Sequence, residues 1–148
     1  MAIREAKFGD LNSLLELYKH LHAKDDSLPD RTNLEKIWLE MLSDPRHFIF
    51  LLEQGQELIS SCVLQVIPNL TRGARPYGLI ENVVTRDDSQ GQGYGTQVLK
   101  HALNLAWKKE CYKVMLMTSR DDPRVFSFYE KAGFKKGIKT GFVAKPRI

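Results

Sequence analysis

The chain has 148 residues, of which 43% are hydrophobic and 27% charged, with a formal net charge of +4. That length suits one domain with one sizeable core, and the balance is that of a globular chain, which excludes a disordered or coiled-coil protein. No apolar run approaches the roughly 20 residues that cross a bilayer, and the first residues lack a signal peptide's apolar stretch, so a cytoplasmic protein with no membrane partner is expected.

The positive charge suits an anionic ligand. Nucleic acid competes for that reading, but no recognised motif and no basic stripe interleaved with aromatics supports it, so no nucleic-acid partner is expected. Cys62 and Cys111, the only cysteines, sit in apolar surroundings and are expected as buried thiols. His20, His22, His47 and His101 are scattered and make no zinc spacing, so no metal is expected.

The elements follow in chain order. Residues 3–7 alternate as a short strand, and Asp10 is placed to cap a helix with an apolar face of Leu11, Leu14, Leu15, Tyr18 and Leu21. Thr32-Asn33-Leu34-Glu35 has the form of a capping box opening a second helix, which buries Leu34, Ile37, Trp38, Met41 and Leu42 and stops at Asp44-Pro45. Strands over 48–53 and 57–67 are joined through Gln54-Gly55-Gln56 as a hairpin. A polar loop over 68–76 leads to an apolar strand over 77–85. The Gln90-Gly91-Gln92-Gly93-Tyr94-Gly95 turn and a helix over 96–109 come next. A strand over 113–118 precedes a last helix started by Asp122 and Pro123 and ended by Gly133. Strands over 134–138 and 140–144 complete the order β-α-α-β-β-β-α-β-α-β-β. This is an α+β fold, one domain over 1–148, with a mixed, mostly antiparallel sheet flanked by helices.

The glycine turn carries the most chemistry. Gly91, Gly93 and Gly95, at alternate positions between strand and helix, let the backbone approach a ligand closely, and the amides of the helix start face an anion. A P-loop would need Gly-Lys-Ser/Thr, which is missing. The dinucleotide fingerprint would need glycine where Thr96 stands. What the segment resembles is the Gln/Arg-x-x-Gly-x-Gly/Ala pattern of the GNAT acetyltransferases, filled by Gln90, Gly93 and Gly95. Phe128-Tyr129-Glu130-Lys131-Ala132-Gly133-Phe134 is similar to that family's Phe-Tyr-x-x-x-Gly-Phe element. The order of elements also follows the family along the whole chain.

Within the family, Leu79-Ile80-Glu81-Asn82-Val83-Val84 and Cys111-Tyr112-Lys113-Val114 resemble segments of the glucosamine-6-phosphate N-acetyltransferases. Two departures stand against that subclass: Met117 occupies the place of an aspartate in the following strand, and Asn82 replaces an acid.

The resemblance implies a GNAT-like acyl-CoA acyltransferase fold and direct transfer of acetyl from acetyl-CoA to an amine. It implies that the backbone of Val83, Val84 and Thr85 lies along the pantetheine arm. Gln90, Gly91, Gln92, Gly93, Tyr94, Gly95 and Thr96 would hold the pyrophosphate. It makes Tyr129 the proton donor to the departing thiolate. A primary amine is mostly protonated at pH 7, so a base or a water path is needed. Glu81 on the strand beside the acetyl group is the candidate, and Asn82 joins it as a substrate-binding residue. Asn82 points to the opposite face unless a local bulge intervenes.

The expected acceptor is a small-molecule primary amine. Arg72 and Arg75 are placed to meet an anionic group on it. A protein or peptide acceptor and a non-catalytic acyl-CoA-binding module are the alternatives. Pairing is common among GNAT domains, so a homodimer is also an expectation.

Overall fold

Alternating apolar residues set the sheet. In the computed structural model, which describes residues 2–147, β2 (His47–Gln54) and β3 (Glu57–Ile67) form an antiparallel hairpin, turning at Gly55 with φ 66°. β1 (Ala2–Glu5) pairs with β2, and β4 (Tyr77–Thr85) pairs with β3, both antiparallel. β5 (Val114–Met115) adds a parallel edge, giving a five-stranded sheet in the order β1-β2-β3-β4-β5. This is the expected α+β class.

Period-two alternation sends side chains to two faces. On one face Ile49, Leu51, Leu58, Val63 and Val84 form a core with Leu11, Leu14 and Leu17 of α1 (Leu11–Tyr18) and Trp38 of α2 (Arg31–Ser43). Trp38 is 2% exposed and donates its indole N–H to the Phe8 carbonyl at 2.9 Å, tying α2 to the 3-10 turn before α1. On the other face Phe50 meets His101 of α4 (Tyr94–Lys108) edge-on at 4.8 Å, and the Cys62 thiol points at the Val98 carbonyl. Val98, Leu99, Ala102 and Ala106 are the buried stripe of α4. Each fully buried leucine of such a core stabilises the fold by roughly 2 kcal/mol. Both cysteines are free and buried, as expected, and burial pushes the Cys62 thiol up to about 12.

Several local expectations are corrected. Asp30, not Thr32, caps α2, accepting from the Asn33 amide at 2.9 Å. Asp10 makes no side-chain cap on α1. Its carboxylate accepts from both terminal nitrogens of Arg4 (2.8 and 2.9 Å) and from the Lys7 amide (2.7 Å), a stronger charge-assisted set. Ile37 is 47% exposed, because the contact stripe of α2 turns on Trp38. β5 is only two residues long. A short helical turn, α3 (Thr71–Ala74), interrupts the 68–76 loop.

The described residues form two compact units, divided between Leu116 and Met117. In the second, α5 (Pro123–Lys131) starts as expected, with Asp122 accepting from the Arg124 amide at 2.9 Å and Pro123 in the first turn. Gly133, at φ 110°, follows its end. The two strands expected after it do not form among the described residues. Gly137 at φ 84° breaks the alternation, and Ile138, Phe142 and Val143 stay 71%, 89% and 70% exposed. No apolar burial there offsets the entropy of ordering a strand.

Candidate active site on the fourth strand

The β3–β4 ladder slips by one residue in the middle. Ser61 pairs with Val84 and Val63 with Glu81, so Asn82 and Val83 together stand opposite Cys62. This is a β-bulge, and Asn82 takes the positive φ of 52° that such an inserted residue needs. Asparagine tolerates that conformation better than most residues. Glu81 keeps the face of Val63, the α1 side. The bulge also brings the Asn82 side chain to that side, where its neighbour is the Tyr18 hydroxyl of α1. Glu81 and Asn82 therefore share one face, the condition their joint role required.

Polar groups are concentrated beneath the bulge. The Tyr18 hydroxyl is buried and makes no hydrogen bond of good geometry; burial pushes it up to about 12, opposed by Asn82. The Ser61 hydroxyl is fully buried and likewise without a hydrogen-bond partner. Ser60 donates to the Val84 carbonyl at 2.8 Å and lies 2.8 Å from the Thr85 hydroxyl, fixing the end of β4. Sequence reasoning missed Tyr18, Ser60 and Ser61. Only the pairing register reveals them, since in the sequence they read as ordinary helix and strand positions.

The outer edge of β4 is the second feature. Its ladder to β5 consists of Gly78 with Val114 and Leu79 with Met115, after which β4 has no ladder partner on that side among the described residues. From Ile80 to Thr85, therefore, β4 has no ladder beyond β3 among the described residues. An extended ligand can take such an edge through main-chain hydrogen bonds.

The strand leads to the glycine turn. A 3-10 turn over Asp87–Ser89 and an extended Gln90 deliver the chain to Gly91 (φ 78°) and Gly93 (φ 87°). Gly93 is the N-cap of α4, and no side chain caps that helix. Nothing lies within 4 Å of where a Cβ would sit on Gly91 or Gly93, so the space over the turn is open. The donors of Gly95 and Thr96 at the start of a 15-residue helix suit an anion there. Gln90 does not reach outward: its amide lies 3.4 Å from both the Thr85 carbonyl and Asp87 Oδ1, closing the loop. Arg86 is used internally too, bonded to Asp88 and Glu57 at 2.6 Å each, and its pairing holds the Asp88 carboxyl low. What the turn offers a ligand is therefore backbone amides, which suit an anion.

Glu81, Asn82, Val83, Val84, Thr85 and the turn from Gln90 to Thr96 thus come together along one strand and its exit. Tyr129 belongs to the second unit. It lies half-buried on α5 with ring contacts to Phe128 at 4.9 Å and Phe134 at 6.3 Å, and its carbonyl accepts from the Phe134 amide. Met117, in the same unit, is 55% exposed and closely approaches Gly141, where a Cβ would stand 2.9 Å from its sulfur.

The bulged strand leading to an uncapped glycine turn accompanies a match that defines the class as N-acetyltransferase. The GNAT acetyltransferase family model matches residues 11–134, and the chain belongs to that family, whose enzymes take acetyl-CoA as co-substrate. Among relatives, it is 30% identical over 141 residues to the glucosamine 6-phosphate N-acetyltransferase of Trypanosoma brucei brucei, covering 91% of this chain and 89% of that one. A solved protein of Agrobacterium tumefaciens str. C58, assigned as an acetyltransferase, superposes with a TM-score of 0.92 at 42% identity, over 99% of this chain and 100% of that one. The glucosamine-6-phosphate N-acetyltransferase of Arabidopsis thaliana shares the fold, with a TM-score of 0.84 at 21% identity over 98% and 97% of the two chains.

Proposed function

We propose that the chain is a single-domain cytoplasmic enzyme that moves acetyl directly from acetyl-CoA to the primary amine of a small molecule. The observation that carries this reading is the β4 bulge, which puts Glu81 and Asn82 on one face of the strand that leads to the glycine turn, beyond the end of its ladder to β5. Cofactor and acceptor can then meet at one point of one strand.

Val83, Val84 and Thr85 hold the pantetheine arm through main-chain bonds, and an amide near Val84 polarises the thioester carbonyl. Gln90, Gly91, Gln92, Gly93, Tyr94, Gly95 and Thr96 form the turn that receives the pyrophosphate. Glu81, through a water, takes the proton of the attacking amine. Nitrogen bonds to the carbonyl carbon, the carbon–sulfur bond breaks, and Tyr129 gives its phenolic proton to the thiolate. Asn82, which can donate or accept, holds a hydroxyl of the acceptor.

Coenzyme A thiol release measured across a panel of amines tests this. Small primary amines should turn over, and Glu81→Gln should lower kcat/KM for them about 10²-fold with unchanged acetyl-CoA affinity. Turnover confined to lysine-bearing peptides or protein N-termini would overturn the small-amine reading.

A further inference from the structure

The end of β4 is fastened by a side chain that the fold buries completely. Ser60 of β3 is 0% exposed, and the pairing register sets it opposite Thr85. Its hydroxyl lies 2.8 Å from the Val84 carbonyl oxygen and 2.8 Å from the Thr85 hydroxyl. A serine has a single hydroxyl proton, and a carbonyl oxygen can only accept. The Ser60 proton is therefore spent on Val84, and between the two hydroxyls Thr85 must be the donor.

That direction decides what Thr85 shows to a ligand. Its proton faces inward, and Ser60 is the one hydrogen-bond partner of its hydroxyl among the described residues. The lone pairs on the Thr85 oxygen can only accept. Thr85 is half-buried, so of the two hydroxyl residues it alone reaches solvent.

The Thr85 main chain offers less. Arg86 donates its N–H to the Ile59 carbonyl at 2.9 Å, toward β3. The trans peptide plane points the Thr85 carbonyl the opposite way, and there the Gln90 amide lies 3.4 Å from it. A ligand N–H that seeks an acceptor at this residue finds the carbonyl already shared with Gln90 and the hydroxyl lone pairs unused.

We propose that Ser60 is a positioning residue for the cofactor: it orients the Thr85 hydroxyl so that its oxygen accepts an amide N–H of the pantetheine arm. This rests on the acetyl-CoA reading above, in which Thr85 meets that arm through its main chain alone. The arm carries secondary amides, whose N–H groups need acceptors when they leave water. The chemistry that Thr85 recognises is thus an extended amide, and the phosphates are left to the glycine turn.

Calorimetry on the full chain compares acetyl-CoA with adenosine 3′-phosphate 5′-diphosphate, which lacks the pantetheine arm. Thr85→Val keeps the shape of the side chain and removes the acceptor. It should weaken acetyl-CoA binding about 5- to 10-fold, the worth of one neutral hydrogen bond, and leave the affinity for the nucleotide unchanged. Thr85→Ser keeps the hydroxyl and should stay within about 2-fold of the unaltered chain. Ser60→Ala should weaken acetyl-CoA alone to a similar degree. Combined with Thr85→Val it should add no more than about 2-fold, because both changes act on one bond. If the Val84 carbonyl left unpaired by Ser60→Ala prevents folding, Thr85→Val and Thr85→Ser decide the matter between them. Full acetyl-CoA affinity in Thr85→Val, an equal loss for both ligands, or losses at Ser60 and Thr85 that multiply would overturn the proposal and leave the cofactor reading standing. An unaltered chain that binds neither ligand would sink both.

Discussion

Tyr129 keeps its ring packed against Phe128 and Phe134, and its phenolic O–H is the proposed proton donor to the departing thiolate. Tyr129→Phe preserves those ring contacts and removes only the proton. It should lower kcat by about 10²-fold with little change in acetyl-CoA affinity. Steady-state rates and a binding titration on the same sample check this, and a rate equal to the unaltered chain's would leave Tyr129 a packing residue. Asp10 illustrates the other use of a polar side chain. Hydrogen bonds from Arg4 hold its carboxyl below the usual carboxylate range. The folded form therefore gains stability that is complete above the unfolded value of about 4 and is lost as pH falls through the lower folded value. Asp10→Asn should cost on the order of 1 kcal/mol near neutral pH, once solvent screening is allowed for. The difference in melting temperature from the unaltered chain should close as the pH is lowered past Asp10's folded pKa. A gap of constant size down to strong acid would assign the effect to something other than this charge.

At the scale of the element, the glycine turn suits a closely approaching ligand because two of its residues have positive φ and nothing stands within 4 Å of where their Cβ atoms would be. Gly93→Glu strains one such position by about 1–2 kcal/mol, less than a typical domain's stability, and puts a negative charge where we propose the cofactor's phosphates lie. The variant should remain folded by circular dichroism and lose detectable acetyl-CoA binding in calorimetry; unchanged affinity would remove the phosphate cradle from Gly93. This element was legible in the sequence, since glycine spacing between an apolar strand and an amphipathic helix is a local signal. The hairpin over 47–67 and the Asp122-Pro123 start of α5 were legible for the same reason. The bulge was not. It is a relation between Ser61–Val63 and Glu81–Val84, two segments with no local mark of their pairing. The terminal strands failed for the opposite cause: alternation in 134–144 suggests a strand, but a strand exists only when a partner takes its backbone bonds.

For the whole molecule, the apolar residues near the C-terminus remain unexplained by packing within the chain. Phe142 and Val143 are 89% and 70% exposed, and large apolar side chains left in water mark association surfaces. We expect the chain to pair with a second copy through them. Sedimentation should give twice the monomer mass, and Phe142→Asp with Val143→Asp should return it to one copy; a monomer without substitution would end the idea.

The brevity of the β4–β5 ladder has one further consequence. Two residue pairs join β4 to β5, so few backbone bonds hold the sheet beside the proposed acetyl site. A bound pantetheine would act as a removable rung, lending the sheet the bonds that β5 does not supply. Rigidity would then be a property of the loaded enzyme, and release of coenzyme A would coincide with the moment at which the sheet itself loosens.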